Sequence, residues 1–421
     1  ADAAHQNGFS GREAYFRQKL DHFNSSSDAT WMQRYFYNLR YYRPGGNAIF
    51  LMVGGAGKQI MEWVQFEEAP FVQWGKERGA PLFALEHRFY GKSHPTDNTS
   101  KENLRLLNSR QAIEDIAVFI RKMNEKYDFD DPKWILFGGW YAGSLALWAR
   151  QKYPDLITGA VSSAAILEPR VDFWEAIQFT EDAYRSLNPK CADNIQIAFA
   201  QMIDMLGTEL GREQLSIAFQ LKPSLSNRTI KYEDIQLFAL IQVYNFEMTV
   251  QYRSGIYKKE GGKTLSMQGV CGVMNDESAD QLRSMAVIND LYTIQSKLLL
   301  DMTPYKPSSY DDVIKYLRQE IFDEEAYASA DRAWLWQSCT EFGSFITTDG
   351  GINSIFGPLV SLRCEFSGRE STSKVADLPQ AAQYDKQPNA PSTEMTPRQK
   401  NILQRVHLGR PPHGFLPEPD M

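Results

Sequence analysis

The chain has 421 residues, 43% of them hydrophobic and 13% aromatic, and a formal net charge of -7. That composition excludes a mostly disordered chain and allows two or three domains, or one domain with a large insertion. The acidic balance argues against nucleic acid or an anionic membrane as the main partner, and no apolar run approaches the roughly 20 residues of a bilayer span.

No charged-then-apolar leader opens the chain, so a signal peptide is expected to have been removed or never present. Residues 15–23 and 30–38 alternate aromatic and polar side chains as half-buried strands do. Residues 48–53 form a continuous apolar run that reads as a strand buried on both faces and leads into Gly54-Gly55-Ala56-Gly57. A second such strand at 81–86 precedes His87-Arg88-Phe89-Tyr90-Gly91, and residues 109–120 carry apolar positions at helical spacing. A strand at 134–137, a helix through Lys152 and a strand at 159–164 follow. Buried strands alternating with helices predict an α/β fold, with a parallel sheet covered on both faces.

Between strand and helix lies Gly138-Gly139-Trp140-Tyr141-Ala142, which has the layout of a nucleophile elbow. Small residues are needed two before and two after the central position because backbone crowds backbone there. Gly138 and Ala142 meet that need, yet the centre is Trp140, which has no nucleophilic atom.

From Phe173 to about 335 the sequence reads mostly as helix, with 235–244 apolar nearly all round and therefore buried. The domain reading is a first core part at 1–170, a helical lid at 171–335, a shortened core remainder at 336–409 and a proline-rich arm at 410–421. After Cys364 apolar strands are scarce, and eight of the 20 prolines fall between Pro379 and Pro419. Thr396, Pro397 and Gln399 supply the cap, first position and capping box of a helix that Gly409 ends. The arm beyond it is polyproline-like, with Phe415 and Leu416 as its apolar patch.

Asn24, Asn98 and Asn227 open N-glycosylation sequons, and four cysteines allow three pairings. Neighbourhood favours Cys191 with Cys271 and Cys339 with Cys364; four buried thiols is the other reading. None has CxxC spacing, so no metal and no cofactor is assigned. Ser144 reads as a small residue in the first turn of the elbow helix, packed or solvated, and Ser162 and Ser163 as hydroxyls bonded to nearby backbone. His5 and His94 read as surface residues, and His407 and His413 lie in contexts unsuited to a general base. Glu341 is either pocket-facing or held in a structural hydrogen bond.

Five stretches then carry a resemblance: Lys19-Leu20-Asp21-His22-Phe23-Asn24, Gln33-Arg34-Tyr35-Phe36, Leu85 to Gly91, Lys152-Tyr153-Pro154-Asp155-Leu156, and Trp336 to Gly343. Together they resemble the secreted and lysosomal serine peptidases that include prolyl carboxypeptidase and dipeptidyl peptidase II, among them secreted nematode, contortin-like members. The resemblance implies an α/β-hydrolase fold with a helical lid, disulfides and glycosylation, and it makes His22 and His87 structural. It places the family serine at Trp140 and the family histidine at Lys374. The family acid, in Asn-Gly-x-x-Asp-Pro-Trp, has no counterpart, and only nine residues separate Cys364 from Lys374. Gly54-Gly55-Ala56-Gly57 stands where the family has Gly-Gly-Glu-Gly.

A serine nucleophile needs a base and an acid to orient it. The expected function is therefore a catalytically inactive, secreted homologue that binds other copies of itself or a related protein, with a lysosomal location as the alternative. The competing readings are an active exopeptidase cutting after proline through an unrecognised triad, and a peptide-binding pseudoenzyme.

Overall fold

A computed structural model describes residues 11–227, 230–251, 265–299, 309–322, 327–350 and 354–360. Lys374, Cys364, the 396–409 helix, the 410–421 arm, His5, His407 and His413 lie outside these residues.

The strands are β1 (Arg12–Lys19), β2 (Thr30–Asn38), β3 (Ala48–Val53), β4 (Leu82–Leu85), β5 (Lys133–Gly139) and β6 (Ile157–Ser163). The helices run α1 (Glu62–Gln65), α2 (Pro70–Arg78), α3 (Lys101–Leu104), α4 (Ser109–Tyr127) and α5 (Trp140–Lys152), then α6 (Glu175–Leu187), α7 (Pro189–Leu206), α8 (Glu209–Ala218) and α9 (Tyr232–Gln251). They continue as α10 (Met267–Met274), α11 (Gln281–Leu299), α12 (Tyr310–Leu317) and α13 (Tyr327–Gln337). No described helix is long and apolar enough to cross a membrane.

The chain divides into two compact units. One contains the sheet, through Pro169, together with Leu317–Glu341. Its strand order is β1-β2-β4-β3-β5-β6. β4, β3, β5 and β6 run parallel, as their apolar runs predict, but β2 pairs antiparallel with β4 and β1 antiparallel with β2, so the sheet is mixed. Tyr35, Phe36 and Trp31 bury from β2, which seats antiparallel between β1 and β4. Among the described residues β6 is largely accessible.

α4 shows why these residues form a helix where they do. The Asn108 side chain caps it by accepting from Gln111 N–H, and its apolar stripe buries Ile113, Ile116, Phe119, Ile120 and Met123. Phe119 meets Phe16, Tyr35 and Phe83 edge-on at 5.2–5.8 Å, so β1, β2, β4 and α4 share one aromatic cluster.

The second unit holds Arg170–Tyr316 and the described residues from Phe342 on. Its core gathers Ile195, Phe199 and Met202 of α7, Phe238, Val243 and Phe246 of α9, and Ile346, Ile355 and Phe356 of the returning chain. α9 is buried nearly all round, as its composition requires. Cys191 and Cys271 are disulfide-bonded, Cα to Cα 5.2 Å, tying α7 to α10 across 80 residues. A crosslink closing a loop of that order stabilises by roughly 2–5 kcal/mol.

Candidate functional site

β5 delivers the elbow. Its residues Trp134, Leu136 and Phe137 are buried between neighbouring strands, and α5 begins at once at Trp140. Trp140 has φ 53°, in the left-handed region, which a bulky side chain adopts only when its surroundings enforce it. The enforcement is visible at the small residues. A Cβ at Gly138 would overlap the carbonyl of Ala142, and one at Gly143 would sit 2.8 Å from Ser162 Oγ. The strand and helix therefore approach as closely as backbone permits, and the residue between them is forced upward.

The half-buried Trp140 indole packs on Trp334 of α13, ring centroids 4.8 Å apart, and Trp334 in turn lies 5.8 Å from Tyr141. The loop after β3 borders the same turn. Gly54 has no room for a Cβ beside Leu85 O, and the Cβ position of Gly55 is 3.3 Å from that of Ala142. In an active elbow these two walls bring the backbone N–H groups together around a developing oxyanion. Here the walls persist while the indole stands at the position from which a nucleophile would attack.

Beneath the turn runs a buried polar chain. His87 Nδ1–H donates to Arg88 O at 2.7 Å, which leaves Nε2 to accept from Tyr141 Oη at 3.0 Å. Gln337 Nε2 donates to Tyr141 Oη at 2.9 Å and Tyr90 Oη donates to Gln337 Oε1 at 2.7 Å. Gln337 also donates to Glu341, whose carboxylate accepts from Ser109 N and Ser109 Oγ at the start of α4. Glu341 is thus an anchor at a helix N-terminus, where its charge opposes the dipole. Burial pushes its carboxyl above the ordinary glutamate range against those hydrogen bonds.

Burial lowers His87 to about 4, so the ring is neutral and its two nitrogens are already committed. The unfolded chain protonates this histidine below about 6.5 while the folded one resists until about 4. Stability from His87 is therefore complete above pH 6.5 and falls by roughly 3 kcal/mol by pH 4. Urea unfolding across that range is expected to show the decline, and His87→Gln to flatten it. An unchanged pH slope in the variant would contradict the assignment.

The other histidines among the described residues are also engaged. His22 contacts Asp115 at 2.7 Å, and His94 is half-buried, with its ring stacked 3.7 Å from Phe322 rather than standing free at the surface. Ser144 is buried and donates to Ile166 O, a packing role. Ser162 departs from the sequence reading: its hydroxyl is buried with no hydrogen-bond partner among the described residues, because the close approach of α5 at Gly143 occupies its surroundings. Asn24 and Asn227 are exposed, whereas Asn98 is half-buried, its Oδ1 accepting from Ser100 N and Asn103 Nδ2. Cys339 is described and its expected partner Cys364 is not. Sequence reasoning missed Trp334 and the roles of Tyr90 and Gln337; the stretches 85–91 and 334–341 were their local traces.

A strand ending in a left-handed residue, a helix beginning at it and a tight loop beside it define a serine-hydrolase scaffold. The chain belongs to the serine carboxypeptidase S28 family, whose sequence model matches residues 18–365. It is 36% and 34% identical to two Caenorhabditis elegans proteins bearing serine-protease names, over 82% and 85% of its own length. The lysosomal Pro-X carboxypeptidase of Homo sapiens is 30% identical over 52% of this chain and 45% of that protein. The chain spans 64% and 68% of the lengths of the two nematode relatives. Among solved structures, the Pyrococcus horikoshii acylaminoacyl peptidase aligns over 37% of this chain and 24% of its own, at 18% identity and a TM-score of 0.28.

Proposed function

We propose that this S28 member is catalytically inactive and acts by contact with protein, either other copies of itself or a related chain. The observation that carries the reading is Trp140: an indole at the elbow centre, held at φ 53° and packed against Trp334. Without an oxygen or sulfur there, no covalent acyl intermediate forms by the family's route. Lys374 at the family's histidine position adds the loss of the base, and removing members of one catalytic unit costs orders of magnitude in rate. On this reading the α/β-hydrolase scaffold and its helical lid serve as architecture. The protein is secreted and glycosylated at its sequons, and the arm at Phe415 and Leu416 is one contact.

A fluorophosphonate probe and Xaa-Pro substrates test the catalytic half. No covalent adduct and no turnover above buffer are expected. Labelling or hydrolysis abolished by a single Ser→Ala change would overturn it.

A further inference from the structure

The buried polar chain beneath the elbow has one direction at neutral pH, and every hydrogen in it is matched. Tyr141 Oη–H points to His87 Nε2, 3.0 Å away, because Nδ1–H is committed to Arg88 O. The Gln337 amide nitrogen donates to Tyr141 Oη at 2.9 Å and to Glu341 Oε2 at 3.2 Å, and the amide oxygen accepts the Tyr90 hydroxyl at 2.7 Å. Four hydrogens thus meet four acceptors. His87, Tyr90, Tyr141 and Gln337 are all buried, so water is not at hand to repair a mismatch.

A proton added at either end runs against that direction. Protonated His87 presents an N–H at Nε2, which Tyr141 Oη accepts only by turning its own hydrogen away, toward Gln337. Protonated Glu341 presents an O–H to an amide nitrogen that has no acceptor capacity. Half a turn of the Gln337 amide answers both: its oxygen then accepts from Tyr141 and from Glu341, while its nitrogen donates to Tyr90. We propose that the Gln337 amide is a two-position switch that couples proton uptake at Glu341 to proton uptake at His87 through the Tyr141 hydroxyl. The reversed chain takes from the Tyr90 hydrogen the acceptor it has at neutral pH, which keeps the unprotonated orientation the resting one.

The other groups facing the two ends hold their state as pH falls. Asp115 and Arg88, whose charges both act on His87, are bound to each other, and Asp115 is held below its ordinary range. Tyr90 meets the His87 ring edge-on at 5.3 Å; burial, with the charges of Glu341 and Asp331, pushes it well above the ordinary tyrosine range, so it keeps its hydrogen. Ser109 N–H and Oγ–H stay on Glu341 Oε1 in both orientations. Burial lets Glu341 take its proton above the ordinary glutamate range and holds His87 down to about 4, so the carboxyl loads first and the turned amide eases the second proton onto the ring. Tyr141 adjoins Trp140, and Gln337 lies about one helical turn past Trp334 on α13, so the switch stands under the indole contact at the elbow.

NMR of the His87 ring in the full chain, titrated downward from neutral pH, reads the coupling. Glu341→Gln carries an N–H where the protonated acid carries its O–H, so it should hold Gln337 in the reversed orientation and raise the His87 midpoint by about one pH unit. Loss of the carboxylate charge alone acts in the opposite sense, because a nearby anion favours the imidazolium. In a Tyr141→Phe background, where the link to Gln337 is cut, Glu341→Gln should no longer raise the midpoint. A midpoint that falls or stays still in Glu341→Gln, or a rise that persists without the Tyr141 hydroxyl, overturns the switch. If the double variant fails to fold, the labelled side-chain amide of Gln337 in the wild type decides. Its resonances should move as His87 titrates, and resonances that stay in place overturn the switch equally.

Discussion

Asp115→Asn is expected to lower the unfolding free energy by roughly 3–5 kcal/mol, the cost of stranding a buried charge. Asp115 and Arg88 are both fully inaccessible, and the guanidinium binds the carboxylate through Nε and Nη2 at 2.6 Å each. Burial works to raise the Asp115 carboxyl, but the charge and hydrogen bonds of Arg88 together with those of His22 outweigh it and hold the group below its ordinary range. Arg88 also donates to Leu20 O and Leu106 O, so the pair joins the end of β1, the loop after β4 and helix α4. Neutralising one partner leaves Arg88 unable to ionise away its charge and unable to reach water. Replacing both together, Asp115→Leu with Arg88→Met, should restore much of the loss, since apolar packing avoids the desolvation cost altogether. Equilibrium urea unfolding of the two single variants and the double gives the coupling. Additive losses would refute the account.

Gly138→Ala is the second large effect, expected to destabilise by about 3 kcal/mol through overpacking. The added methyl meets backbone, the carbonyl of Ala142 and the amide of Gly143, and not a side chain that can swing aside. Relief requires β5 and α5 to separate, which breaks the packing of Tyr141, Leu145 and Ala146, all buried. Gly139→Ala is the control: its nearest neighbour is Ser163 O at 4.0 Å, so it should cost little by comparison. Thermal or urea unfolding of the pair distinguishes a steric origin from a generic loss of glycine, because equal effects at 138 and 139 would sink the steric one.

The parts of the fold legible in the sequence were those with local signals. The apolar run Ala48–Val53 appears as a strand with those bounds, and α9 buries the residues its composition marks. The Cys191–Cys271 pair joins the two cysteines of the helical region, as their shared neighbourhood favoured. The illegible parts depend on distant partners. The antiparallel seating of β2 on β4 pairs Tyr35 with Leu85, a choice set by β2's buried aromatics and not by its pattern alone. Gln337 lies 196 residues from Tyr141, and neither residue's neighbours reveal the bond. Gly159-Ala160-Val161 has the small, apolar composition of a buried strand, yet burial of a strand is decided by what pairs and packs beside it. The candidate site was legible as a turn with tryptophan at its centre. What that tryptophan packs against was not.

The backbone at position 140 keeps a conformation that its own side chain disfavours. The requirement for small residues at 138, 142 and 143 therefore comes from how closely a strand and a helix are pressed together. The backbone at position 140 is thus set by its neighbours, whatever side chain it carries.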